Sequence, residues 1–278
     1  MQPEQRREIG MLLLAHAAAG LLVGSAPGRV SRCECHAAAT AQPVRLWNSG
    51  VCPFAQRVWI ALLELETPFT HELIDLSSKP DEYLTLSEKA GGTAKVPLLE
   101  MGEEVVCGSL DIVRLLGKDT RLLPPQGDGH IDEFIDVWVG KVEPAYYDLL
   151  RAPSEQQAQA RRYPLLMALS ELENRLLMRQ GMDSEGMGSS TFLCDDFSLA
   201  ECVAAPSAER MLAMLPHWRA LDLPSFAQQS GLDRTRRWLL AVAEHPSVVE
   251  SSAGEEEMAR ASRRYYVEHV SPGAPGVL

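Results

Sequence analysis

From Pro43 onward, apolar and polar positions fall into short runs whose period changes repeatedly. Val44-Arg45-Leu46-Trp47 alternates with period two, as a strand with two unlike faces should. Beyond Cys52, the residues Val58, Trp59, Leu62 and Leu65 recur at helical spacing. Residues 69–74 give a second strand, and a short helix follows Pro80, whose fixed φ suits a first helical turn. Residues 95–101 and 104–107 predict a hairpin, and 109–116 a helix. The order strand, helix, strand, helix, strand, strand, helix predicts one sheet covered by helices over residues 43–118.

Residues 119–129 are the predicted linker, with Pro124-Pro125-Gln126-Gly127-Asp128-Gly129 at their turn-rich end. Residues 130–270 read as all helical. Phe134, Val137 and Trp138 share one face, and Leu165, Leu169, Leu172 and Leu176 mark another amphipathic helix. Ser198 followed by Glu201 predicts a capping box, with Phe197 and Cys202 as its hydrophobic staple. Its role is structural. Residues 271–278, rich in Pro and Gly, predict a mobile tail.

Residues 1–42 differ from the rest. Arg6 and Arg7 precede Met11-Leu12-Leu13-Leu14 and an alanine-rich stretch, with Arg29 and Arg32 beyond it. His16 interrupts an apolar run that falls short of the ~20 residues needed to cross a bilayer, so no stable membrane insertion is expected. The segment reads as a removable leader. A secretory signal and an organelle transit peptide both remain open, and Glu4 and Glu8 count against each. A reduced thiol favours a plastid or mitochondrion, with the cytoplasm as the alternative.

Composition narrows the partners. With 26 Lys and Arg against 38 Asp and Glu, the formal net charge is -12, which argues against binding a nucleic acid backbone. The six cysteines, at 33, 35, 52, 107, 194 and 202, form no C-x-x-C pair and sit in a chain too long to need covalent staples. Cys33-Glu34-Cys35-His36 is too tightly spaced for the usual zinc modules, and no metal is expected.

The candidate chemistry lies in Asn48-Ser49-Gly50-Val51-Cys52-Pro53-Phe54-Ala55-Gln56-Arg57. A strand ends, a turn follows, and Cys52 stands where the next helix begins, with Pro53 at its first position. Helix dipole and free backbone donors favour a thiolate there, making Cys52 a candidate nucleophile. Arg57 either adds to this or points to solvent. A buried, inert cysteine closing the turn is the competing reading. Ala55 stands where a dithiol redox motif has its second cysteine, so a separate thiol must resolve any mixed disulfide formed on Cys52.

On these residues the segment from Leu46 to Gly117 resembles the thioredoxin-like half of glutathione transferases. Cys-Pro-Phe-Ala-Gln-Arg is similar to the cysteine-type omega, lambda and dehydroascorbate reductase classes. Residues 197–206 resemble the capped helix of their second domain. The resemblance implies an α+β thioredoxin-like N-terminal domain (βαβαββα) followed by an all-α helical bundle, with glutathione as co-substrate. It implies Cys52 as the catalytic residue. It further implies that Phe54, Lys79, Val96, Pro97 and Ser109 bind glutathione, Val96 through its backbone beside a cis Pro97. Ser109 is also open to a plain helix-capping role, and Lys79 to that of a solvated lysine.

Gly108 departs from the family, which has an acid immediately before that serine to receive the glutathione amino group. Asp111 is the neighbouring candidate to replace it. Trp138, Tyr146, Tyr147 and Trp218 either line a second-substrate pocket or fill the core. Three functions follow. A glutathione-dependent thiol transferase or reductase, acting on a disulfide, a glutathionyl conjugate or dehydroascorbate, stands first. A non-catalytic carrier or scaffold of the same fold is the alternative, and a redox sensor the third. Either a monomer or a homodimer fits.

Overall fold

The computed structural model describes residues 43–123, 129–180 and 190–269, all within one compact unit. The predicted leader, the Cys33–His36 tract, the Pro-Pro part of the linker and the tail lie outside the described residues.

Four strands, β1 (Val44–Asn48), β2 (Thr70–Leu73), β3 (Leu98–Met101) and β4 (Glu104–Cys107), form a sheet in the order β2-β1-β3-β4. β1 runs parallel to β2 and antiparallel to β3, which pairs antiparallel with β4. Helices α1 (Pro53–Glu64), α2 (Asp81–Lys89) and α3 (Ser109–Gly117) complete the βαβαββα order read from the sequence, the thioredoxin-like arrangement. The predicted first strand of the hairpin is shorter than expected: residues 95–97 form the turn before it, and Val96-Pro97 is cis.

The pleat sorts the sheet's side chains into two cores. Leu46 and Leu99 face a large cluster that includes Val58, Leu62 and Ile112, while Trp47 and Leu98 face a smaller one with Ile74 and Tyr83. Both faces are covered, which is why Leu46, Trp47 and Asn48 are buried in succession.

Beyond the sheet the described chain is mainly helical. α4 (Gly129–Val137) runs through a π-turn (Trp138–Val142) into α5 (Glu143–Leu150). α6 (Glu155–Gln180), α7 (Leu199–Arg219), α8 (Leu223–Gln229), α9 (Asp233–Ala243), α10 (Pro246–Ser251) and α11 (Glu255–His269) follow. Among the described residues no helix is long and apolar enough to cross a membrane. Leu165, Leu169, Leu172 and Leu176 are fully buried, as their spacing predicts, and Trp138 packs with Phe134 and Trp238. The large core runs without a break from the sheet into these helices.

The π-turn has an identifiable consequence. Its i to i+5 repeat brings Trp138 and Glu143, five residues apart, onto one face. Both reach Ser207 on α7: Trp138 Nε1 donates to Ser207 Oγ at 2.8 Å, and Ser207 Oγ donates to Glu143 Oε1 at 2.6 Å.

The start of α7 forms the predicted capping box. Ser198 Oγ accepts from Ala200 N at 3.2 Å, and Ser198 N donates to Glu201 Oε2 at 2.9 Å. Glu201 is completely buried and also accepts from Leu193 N at 2.8 Å and Trp238 Nε1 at 2.9 Å. Ser198→Ala is therefore expected to lower stability by about 1–2 kcal/mol in chemical denaturation, the upper range for a lost cap. Glu201→Leu is expected to cost more, because it orphans three buried N–H donors, those of Leu193, Ser198 and Trp238.

Candidate active site

Strand β1 delivers the chain to a turn in which Cys52 N donates to Ser49 O at 2.8 Å. Cys52 takes an extended conformation (φ -83°, ψ 115°) as the N-cap of α1, and Pro53 is the first helical residue. Gln56 N donates to Cys52 O at 3.0 Å, closing the first turn. Pro53 has no N–H, so the backbone donors of Phe54 and Ala55 are the unpaired amides at this helix start. The thiol makes no capping bond to them. Cys52 is half-buried and opens onto a cleft of about 550 Å³ between the sheet-bearing half and the helices.

The cleft brings together some of the predicted residues. Cys52, Phe54, Lys79 and Val96 all line it; Phe54 is exposed and Lys79 half-buried. Pro97 and Ser109 do not. Pro97 is buried behind Val96. Ser109 is the first residue of α3, after Gly108 at the cap position, so it is not itself the helix cap. Its hydroxyl faces Arg57 Nη1 at 3.5 Å.

Arg57 neither flanks the thiol as a free charge nor points to solvent, the two outcomes its sequence position allows. It is 2% exposed and donates through Nε to Val203 O at 2.8 Å and through Nη2 to Glu143 Oε1 at 2.5 Å. The pair binds α1 to α5 and α7. Since α5 carries Tyr146 and Tyr147 into the cleft, this bond fixes the helical wall opposite Cys52.

Arg210, on α7, has no signal in the sequence. Its Nη1 donates to Gln56 Oε1 at 2.6 Å and to Pro206 O at 2.7 Å, and its Nη2 to Val51 O at 3.1 Å. It thus holds the turn on which Cys52 stands. Arg151, Met214 and Met258 likewise line the cleft without a motif to announce them. Of the four aromatics weighed between pocket and core, Tyr146 and Tyr147 line the cleft. Trp138 and Trp218 are core residues, Trp218 donating to Ser262 Oγ at 2.8 Å.

The other thiols sit in different surroundings. Burial pushes Cys202, which is fully enclosed, well above the usual thiol range, and raises Cys107 despite a hydrogen bond from Ser87. A Cβ at Gly92 would meet Cys107 Sγ at 2.6 Å, so Cys107 is packed directly against backbone. Tyr83, on the same side of the sheet, is buried with its phenol pushed up to about 12 by desolvation, and stays protonated at neutral pH. Among the described residues no group of His, Cys, Asp and Glu gathers at metal-binding distance.

Gly108 has φ 93°, in the region that favours glycine. A Cβ built there would lie 2.9 Å from Asp111 Oδ2. The Asp111 carboxylate therefore occupies the space into which an acidic side chain at position 108 would begin to project.

A half-buried cysteine at a strand–helix junction, with a cis X-Pro turn lining the same cleft, defines a thioredoxin-like site. The family model described as "Glutathione S-transferase, N-terminal domain" matches residues 46–122. The "Probable glutathione S-transferase DHAR2, chloroplastic" of Oryza sativa subsp. japonica is 24% identical over 84% of this chain and 80% of its own. "Protein IN2-1" of Zea mays is 30% identical over 64% of this chain and 70% of its own. Glutathione transferase Omega 3C from Trametes versicolor has the same fold, with a TM-score of 0.67 at 20% identity over 82% of this chain and 91% of its own. Relatives are named both chloroplastic and cytosolic. The chain belongs to the glutathione transferase superfamily, among its cysteine-type members.

Proposed function

We propose that the protein is a glutathione-dependent thiol transferase or reductase in which Cys52 is the single reacting thiol. The observation that carries this reading is the position of Cys52, at a helix start and open to a cleft, while Cys107 and Cys202 are held protonated by burial. Glutathione is the co-substrate. The Cys52 thiolate attacks the glutathionyl sulfur of a mixed disulfide, forming a Cys52–glutathione disulfide and releasing the other half as a thiolate. The thiolate of a second glutathione then attacks the glutathionyl sulfur, forming glutathione disulfide and freeing Cys52. In sum one glutathione thiolate is consumed and one disulfide is exchanged for another: the substrate half leaves as a thiol, and its glutathionyl half leaves joined to the second glutathione as glutathione disulfide. Phe54, Lys79 and the Val96 backbone, all on the cleft wall, are the proposed glutathione contacts. Pro97 holds the turn behind them, and Ser109 acts from the start of α3. The test is an activity panel on the chain from about residue 42, using glutathionylated peptide, a glutathionyl conjugate and dehydroascorbate. Turnover of at least one is expected, and turnover of none contradicts the proposal.

The carrier reading draws support from Gly108, which removes an acid from the glutathione site. Asp111 answers it, because its carboxylate lies where that acid would project. Asp111→Asn is expected to weaken glutathione binding about tenfold, the loss of one charged hydrogen bond. Calorimetric titration checks this, and an unchanged affinity would restore Gly108 as a true defect. Residues 1–42 are proposed as a removable leader directing the protein to a plastid or mitochondrion. A fluorescent fusion carrying those residues tests that.

A further inference from the structure

On the far side of the turn that carries Cys52 lies a second groove, of about 450 Å³. Its walls are the end of β2 and the residues after it, the 49–51 turn, and the start of α11. None of the proposed glutathione contacts lines it. Val51 and Leu76 line both this groove and the Cys52 cleft, so the two adjoin at the residue before the thiol. With glutathione on Phe54, Lys79 and Val96, the groove stays open to whatever the glutathionyl sulfur is joined to.

Two features of the groove suit an extended polypeptide. Leu73, at the end of β2, is 66% exposed, and Leu76 is 38% exposed. β2 is the outermost strand, and the described chain pairs no further strand with its free edge. Such an edge accepts an extended backbone as an added strand. The second feature is charge. Asp75, Glu257 and Arg260 are the charged lining residues, and Arg260 is bonded to Glu257. That pair is self-compensating, which leaves Asp75 as the excess charge. Asp75 is exposed, and Ser77 N and Oγ both donate to its Oδ1, at 2.8 and 2.7 Å, so Oδ2 is left to meet a cation. Glu255 and Glu256, exposed in the first turn of α11, add charge of the same sign beside it.

Building on the thiol-transfer reading above, we infer that this groove docks the polypeptide around a glutathionylated cysteine, a basic segment whose Lys or Arg side chain meets Asp75. An extended chain rises about 3.3 Å per residue, so positions two to four from the modified cysteine lie roughly 7–13 Å along it. When Cys52 takes the glutathionyl group, the cysteine of that segment leaves as its thiolate and takes a proton from solvent. A second glutathione completes the exchange as described above.

The test compares three glutathionylated probes at one ionic strength. Two are nonapeptides with a central modified cysteine and either Lys or Gln at the second and fourth positions on each side. The third is the mixed disulfide of glutathione with free cysteine, too short to enter the groove. Wild-type protein is expected to favour the Lys peptide over the Gln peptide about fivefold in kcat/KM, the upper effect of one exposed ion pair. Asp75→Asn is expected to bring that ratio close to one, and Asp75→Lys to invert it, with turnover of the cysteine disulfide unchanged in both. Equal turnover of the two peptides by wild type, or a preference that survives Asp75→Lys, overturns the inference and leaves thiol transfer standing. So does an equal loss on all three probes in the Asp75 variants, which would place Asp75 in the fold and not in docking. Turnover of none of the probes by wild type overturns the thiol-transfer reading, and the inference falls with it.

Discussion

Replacing Cys52 with serine is expected to lower reduction of a glutathionylated substrate by on the order of 10³-fold or more. A hydroxyl cannot form the disulfide that carries the glutathionyl group, so the loss is one of mechanism and not of rate alone. No neighbour substitutes for the lost thiol. Cys202 is enclosed in the helical core, and Cys107 is packed against Gly92 with its thiol raised by burial. Glutathione affinity should change little, because the proposed contacts on Phe54, Lys79 and Val96 remain. A serine variant that still binds glutathione but has lost reduction isolates chemistry from binding. Steady-state kinetics beside calorimetric titration checks both halves.

The second large effect concerns the join between the sheet and the helices. Arg57→Met is expected to destabilise the protein by about 3–5 kcal/mol, measured by urea denaturation. Arg57 and Glu143 are nearly excluded from solvent, with side-chain exposures of 3% and 9%. Removing the guanidinium leaves the carboxylate buried with Ser207 as its remaining hydrogen-bond donor, and leaves Val203 O without its 2.8 Å bond. Removing both charges, as Arg57→Met with Glu143→Leu, is expected to recover part of the loss, since no uncompensated ion remains. A double variant no more stable than the single one would show that Arg57 acts mainly through Val203. The same substitution bears on the cleft, since it frees α5, which carries Tyr146 and Tyr147.

These two residues also mark the boundary of what a sequence discloses. Cys52-Pro53 is legible because a helix start is a local event: a strand pattern, a turn, a proline and then helical spacing occupy some twenty consecutive residues. Ser198 and Glu201 are legible for the same reason, being three residues apart and bonded to each other. Strand order and the helical second half follow from runs of similar length. Arg57 is not legible in this way. Its partners Glu143 and Val203 lie 86 and 146 residues away, and nothing near Arg57 separates a buried ion from a solvated one.

Arg210 is hidden for the same reason, reaching back 159 residues to hold the turn before Cys52. The sequence marks Asp111 as a candidate, but only the backbone at Gly108 brings its carboxylate into the gap. The basic residues of the cleft escape composition altogether, because a strongly acidic chain conceals Lys79, Lys95, Arg151 and Arg210, drawn together from the end of α5, from α7 and from the turns on either side of α2. Local chemistry is written in order along the chain; the walls of a site are assembled across it.

The account turns on whether Cys52 alone carries the glutathionyl group, and mass mapping of its peptides decides it most directly. The protein is mixed with excess glutathionylated peptide in the absence of free glutathione, digested without reduction, and then treated with glutathione. The account predicts one glutathionyl adduct on the peptide containing Cys52, and its complete removal when glutathione is added. An adduct on Cys107, an internal disulfide joining Cys52 to another cysteine, or no adduct while the peptide is still reduced would contradict it.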